Sequence, residues 1–130
     1  MSVSPQALSL LVVYSDDLER ASRFYRVLGL DLVAEQHGKG PRHFSCQVGP
    51  TLFELYPAGE RQTSGTLRFG LAVSDVDSVV SIAAEHGGSI VTAAVDSPWG
   101  RRAVVADPDG NRVELNQAVS HSEERKFHAT

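Results

Sequence analysis

Apolar and polar positions follow the same order twice along this chain. From Leu8 the run LSLLVVYSDDLERASRFYRVLGLDLV passes from an apolar strand through an acidic pair into an amphipathic stretch, then glycine and a second strand. From Thr66 the run TLRFGLAVSDVDSVVSIAAEHGGSIV repeats that order. Leu18, Ala21, Phe24 or Tyr25, and Leu28 recur at helical spacing, as do Val76, Val79, Val80 and Ala83, so each half carries one helix with a single buried face. Asp16 with Glu19, and Ser74 with Asp77, read as capping boxes, and Gly29 and Gly87 stand where a left-handed helix stop is needed. Three short apolar or alternating runs follow each helix, and Gly49-Pro50 and Asp107-Pro108-Asp109-Gly110 turn the last two into hairpins.

Each half therefore reads β-α-β-β-β, and the chain is expected to be an α+β fold of two tandem modules. Module one spans 7–57, a polar, glycine-containing linker 58–65, and module two 66–118, together one domain over 1–118. Residues 119–130 show no apolar period and are expected to fray as a flexible tail. Aligning Asp17 with Asp75 gives an offset of 58, whereas Glu54 and Glu114 differ by 60, so module two holds a two-residue insertion.

Strand alternation assigns the faces. Leu8, Leu10, Val12 and Tyr14 share one side of the first strand, and Arg68, Gly70 and Ala72 the matching side of its counterpart. In the last strands Glu54 goes with Leu52 and Tyr56, and Glu114 with Arg112 and Asn116, while Phe53, Leu55, Val113 and Leu115 point to the helices.

Composition narrows the partners. No apolar run approaches the roughly 20 residues that span a bilayer, so no membrane association is expected. The net charge of −4, with no basic cluster beyond Arg101-Arg102, gives no footprint for nucleic acid. Cys46 is the single cysteine, which excludes an internal disulfide, and no secretory pattern opens the chain; both suit the cytoplasm. A small molecule or another protein chain is the expected partner.

The doubled unit, the Phe-Tyr…Leu-Gly-Leu of the first half and the Trp-Gly…Asp-Pro-Asp-Gly-Asn-Arg-Val-Glu-Leu of the second together resemble the vicinal-oxygen-chelate superfamily of glyoxalases, bleomycin-resistance proteins and extradiol dioxygenases. The likeness covers about residues 7 to 118. It implies two curled four-stranded sheets forming a trough for ligand or metal, and commonly a homodimer closed across a two-fold axis. Metalloenzymes of the family usually take one ligand from the first strand and one Glu from the last strand of each half. Carried over, the last-strand positions are Glu54 and Glu114, whereas the first-strand positions, seven residues before the capping Asp, are Leu10 and Arg68. Leucine has no lone pair to give, and a guanidinium has none and repels a cation. Two glutamates fall short of the roughly three ligands of an open catalytic site.

No metal or other cofactor is therefore expected. Arg68 is expected to stand where the cation was held, pairing with Glu114 and with Glu54 as a further candidate. If that pair is buried, breaking it should cost about 3–5 kcal/mol. A purely structural salt bridge and a ligand anchor both remain open for Arg68, and Glu54 and Glu114 also allow the plain reading of solvated strand residues. Leu10, Tyr14, Glu54, Tyr56, Arg68, Trp99 and Glu114 are the expected ligand-binding residues, with Trp99 either covering the trough mouth or merely packing. No catalytic residue is assigned. His43 reads as a surface strand residue, with a place facing the trough as the alternative, the remaining histidines lie away from the family's ligand positions, and Cys46 reads as a core side chain.

The leading function is metal-independent capture of a small molecule in the trough between the modules. The alternative is a metal-dependent lyase, isomerase or dioxygenase using Glu54 and Glu114, with His43 as a possible third ligand. A third reading is an interaction module whose trough is vestigial.

Overall fold

The computed structural model describes residues 3–118, so the expected C-terminal tail, 119–130, lies outside the described residues. The chain divides into two compact units at the Ser64–Gly65 bond.

The first unit contains β1 (Leu10–Ser15), α1 (Leu18–Val27), β2 (Val33–Glu35), β3 (His43–Val48) and β4 (Thr51–Pro57). Its sheet runs in the order β1-β4-β3-β2, with β1 parallel to β4 and the other neighbours antiparallel. The second unit repeats this with β5 (Arg68–Ala72), α2 (Val76–Glu85), β6 (Ser89–Ser97), β7 (Gly100–Ala106) and β8 (Arg112–Ala118), in the order β5-β8-β7-β6. The tandem β-α-β-β-β reading thus holds in both halves.

Each helix starts one residue later than the capping-box reading placed it. Asp17 caps α1 by accepting from the Arg20 N–H at 3.0 Å, and Asp75 caps α2 by accepting from the Ser78 N–H at 3.2 Å. Both have extended backbones, the geometry in which a short carboxylate reaches the orphan donors of a first turn. These are the capping aspartates from which Leu10 and Arg68 were counted, and Asp16 and Ser74, which open the capping boxes, stand one position outside. Gly29 (φ +108°) and Gly87 (φ +95°) do take the left-handed stops.

The helix-facing sides form the cores. In unit one Val13, Phe24, Tyr25, Phe44, Phe53 and Leu55 are all sealed from solvent, with the Tyr25 and Phe53 rings 5.0 Å apart. Burying each such side chain contributes roughly 1.5–3 kcal/mol. Val76, Ala83, Ala103, Val105, Val113 and Leu115 do the same in unit two.

The strand register fixes the insertion. Leu10 pairs with Leu52, 42 residues on, and Arg68 with Arg112, 44 residues on. The extra two residues therefore lie between first and last strand, where the nine-residue β6 pairs with β7 through register shifts. Glu54 faces Val12, and Glu114 faces Gly70, so the two carboxylates occupy equivalent places.

Residues read as linker hold to unit one. Ala58 is buried and its N–H donates to the Ser15 carbonyl, while the Ser64 hydroxyl accepts from the Tyr14 N–H at 2.7 Å. The β7–β8 turn is locked by Asp107, whose carboxylate accepts from the N–H groups of Asp109 and Asn111 at 2.9 Å each and from the Asn111 side-chain amide at 2.8 Å.

Candidate functional site

The sheet face opposite each helix carries the polar and aromatic side chains that alternation assigned to it. In unit one this face holds Leu10, Val12 and Tyr14 of β1, Leu52, Glu54 and Tyr56 of β4, and His43 and Ser45 of β3. Tyr14 and Tyr56 are register partners, and their rings lie 6.4 Å apart at 60°. The Arg61 guanidinium sits 4.7 Å over the Tyr14 ring, a cation–π contact on the same wall. Leu10 is half exposed at the start of β1.

His43 is not a surface residue. Only 2% of its side chain is exposed, because the Tyr56 ring lies flat over it, 4.3 Å away and 6° from parallel. Its Nε2 points between two carboxylates, 3.4 Å from Glu35 Oε2 and 3.7 Å from Glu54 Oε2. Glu35 in turn accepts from the Ser45 hydroxyl at 2.6 Å. That bond, then His37, holds its carboxyl below the ordinary range against the opposing effect of burial. Burial, followed by the nearby Glu54 charge, pushes the Tyr56 phenol up.

In unit two the corresponding face holds Arg68 and Gly70 of β5, Glu114 of β8 and Arg102 of β7. Arg68 Nη2 donates to Glu114 Oε1 at 2.6 Å, the partnership read from the sequence. A second guanidinium, Arg102, donates to the same oxygen. Together, Arg68 first, they hold the Glu114 carboxyl below the usual carboxylate range. Gly70 lies beside this group: a Cβ there would stand 3.5 Å from the Asn116 amide and 3.8 Å from the Glu114 Cβ, ordinary contact.

Two expectations change. The Arg68–Glu114 pair is not buried, since 59% of the Arg68 side chain is exposed, and the large cost attached to a buried pair does not apply. Trp99 does not pack: it is 79% exposed in the two-residue turn between β6 and β7, where its backbone N–H donates to the Ser97 hydroxyl at 3.3 Å. Gly100 forces this presentation, having φ +131° and an approach to the Gln117 carbonyl that would leave a Cβ only 2.1 Å away.

Sequence reading missed Arg102, Glu35 and His37. Arg102 was accessible to alternation, since it lies one residue before Ala103 and three before Val105, both core side chains of β7. Glu35 and His37 were not: the register that sets Glu35 opposite His43 follows from the seven-residue loop between β2 and β3, which carries no apolar period.

As to chemistry, unit one presents an aromatic wall with a carboxylate–imidazole group, and unit two a carboxylate neutralised by two guanidinium groups. A cation at Glu114 would meet the repulsion of both guanidinium groups held on Oε1.

Known proteins share this architecture. The antibiotic-binding protein TnmS3 from Streptomyces sp. CB03234 is 31% identical, with a TM-score of 0.70 over 91% of this chain and 100% of its own. Lactoylglutathione lyase from Agrobacterium tumefaciens is 25% identical, with a TM-score of 0.65 over 88% of this chain and 95% of its own. The anthracycline biosynthesis protein DauV of Streptomyces sp. (strain C5) is 36% identical over 124 residues, and the match takes in 88% of this chain but only 43% of DauV. The family model described as Glyoxalase/Bleomycin resistance protein/Dioxygenase superfamily matches residues 7–115, and the chain belongs to that superfamily.

Proposed function

We propose that the protein captures a small aromatic molecule without help from a metal, in the manner of the superfamily's bleomycin-resistance members. The observation that carries this reading is the occupation of Glu114 by Arg68 and Arg102, two fixed positive charges where a metalloenzyme of the family would present a ligand pair. In unit one Leu10, Tyr14 and Tyr56 supply apolar and aromatic surface and Glu54 a polar anchor; in unit two Arg68 and Glu114 supply polar anchors and Trp99 an exposed indole that a planar guest would cover.

The kinship with an antibiotic-binding protein and with an anthracycline biosynthesis protein supports a polycyclic aromatic antibiotic, or a precursor of one, as the guest class. The metal-dependent lyase, isomerase or dioxygenase reading through Glu54 and Glu114 is weaker, because it sets a cation beside two guanidinium groups at Glu114.

The reading includes a homodimer in the cytoplasm. Ile90, Val91 and Val95 leave apolar side chains exposed on β6, an edge strand that a second copy would cover. No helix among the described residues is long and apolar enough to cross a membrane, and the lone Cys46 suits a reducing compartment.

Native mass spectrometry of the purified protein tests the guest class. A co-purifying aromatic compound bound one per chain supports it; a trough that takes up no member of an aromatic antibiotic panel contradicts it and favours an interaction module.

A further inference from the structure

Buried imidazole nitrogens are rarely left without a partner, because removal from water costs what the missing hydrogen bond would have returned. His43 Nε2 is such an atom: it is buried and makes no hydrogen bond among the described residues. Its other nitrogen, Nδ1, lies 3.2 Å from the Pro41 carbonyl. A carbonyl only accepts, so Nδ1 carries the proton, and in a neutral ring Nε2 then holds a lone pair. That lone pair faces carboxylate oxygens of Glu35 and Glu54, at 3.4 and 3.7 Å, which are electron donors as well. A lone pair and carboxylate oxygens turned on one another are reconciled by a positive centre between them.

The spacing says which kind. Four donors held at about 2.0–2.1 Å in a tetrahedron stand about 3.4 Å from one another. Here Glu35 Oε2 lies 3.4 Å from His43 Nε2 and 3.2 Å from His37 Nε2, and the donor atoms of Glu35, His37 and His43 all fall within 4.8 Å. The second imidazole meets the same carboxylate oxygen, His37 Nε2 lying 3.2 Å from Glu35 Oε2, and its ring centre is 5.2 Å from that of His43.

The surroundings match a ligand set fixed from behind. The Pro41 carbonyl sets the His43 tautomer, Tyr56 fixes its ring plane, and the Ser45 hydroxyl occupies Glu35 Oε1, leaving Oε2 for the ion.

We propose that Glu35, His37 and His43 form a three-donor binding site for one divalent transition metal of the zinc type, with the fourth coordination position open. Its two imidazoles come from the β2–β3 loop and the start of β3, not from the first-strand positions Leu10 and Arg68. The ion holds the β2–β3 loop to the sheet. The site does not depend on guest capture, which is measured on metal-stripped protein, so either proposal can fail alone.

The test uses tag-free full-length protein, stripped with chelator, desalted, and titrated with zinc chloride by calorimetry at pH 7.5. One zinc per chain is expected, with a Kd below about 1 µM, together with a rise in Tm. His37→Ala, on a side chain 76% exposed and so harmless to folding, is expected to weaken zinc at least tenfold. Glu114→Gln, on the other unit, is expected to leave stoichiometry and affinity unchanged. No zinc uptake, or uptake indifferent to His37→Ala, overturns the proposal. Loss of zinc in Glu114→Gln but not in His37→Ala also overturns it and moves the ion to Glu114.

Discussion

Arg68 donates to Glu114 Oε1 across neighbouring strands at 2.6 Å, yet leaves more than half of its own side chain in solvent. An exposed pair of this kind is screened by water and gains little, and Arg102 holds the same oxygen. Arg68→Ala is therefore expected to lower stability by less than about 1 kcal/mol. Removing both arginines should cost more, on the order of 1–2 kcal/mol, because Glu114 is then left without a counter-charge. Urea unfolding of the two variants beside wild type checks the order.

The pH dependence follows from the lowered Glu114 carboxyl. A carboxylate held below its unfolded value of about 4.3 stabilises the fold above that value. The stabilisation is lost as pH falls through the lower folded value. The gap between wild type and Arg68→Ala/Arg102→Ala should thus be full at pH 7 and shrink as the solution is acidified below about pH 4.3. A gap that widens on acidification would contradict the pairing.

Gly100 holds the Trp99 turn by two constraints, its positive φ and its approach to the Gln117 carbonyl. Gly100→Ala is expected to destabilise by at least about 2 kcal/mol, since any side chain there meets both backbone strain and a clash. Thermal denaturation reads it directly, and a wild-type Tm would show that the turn has slack.

The exposed apolar side chains of β6 lead to an expectation about assembly. Sedimentation at micromolar concentration should give twice the 14.0 kDa chain mass. A single species at the monomer mass would remove the dimer from the account.

Most of the fold was legible because it rests on periodicity. Helical spacing found both buried stripes, and strand alternation put Glu54, Tyr56, Arg68 and Glu114 on the faces they occupy. The Arg68–Glu114 partnership was legible for the same reason. Exposure was not, because alternation says which side a residue lies on but not what covers it. His43 shows this: its strand parity puts it on the face of Ser45 and Glu54, and the Tyr56 ring from the neighbouring strand buries it there. The caps moved by one residue because Asp16-Asp17 and Ser74-Asp75 each offer two capping side chains in succession, and backbone geometry decides between them.

The central claim is capture of an aromatic guest without metal. Trp99 is the sole tryptophan, which makes its fluorescence a clean reporter. The measurement is a titration of chelator-stripped protein with an anthracycline, following Trp99 emission and Tm together. Saturable quenching at one guest per chain is predicted, unchanged by added zinc or chelator, with stabilisation of about 2.7 kcal/mol when free guest reaches a hundredfold excess over Kd. Binding that appears only after a divalent metal is restored would contradict the account and assign the protein to the superfamily's metal-dependent members.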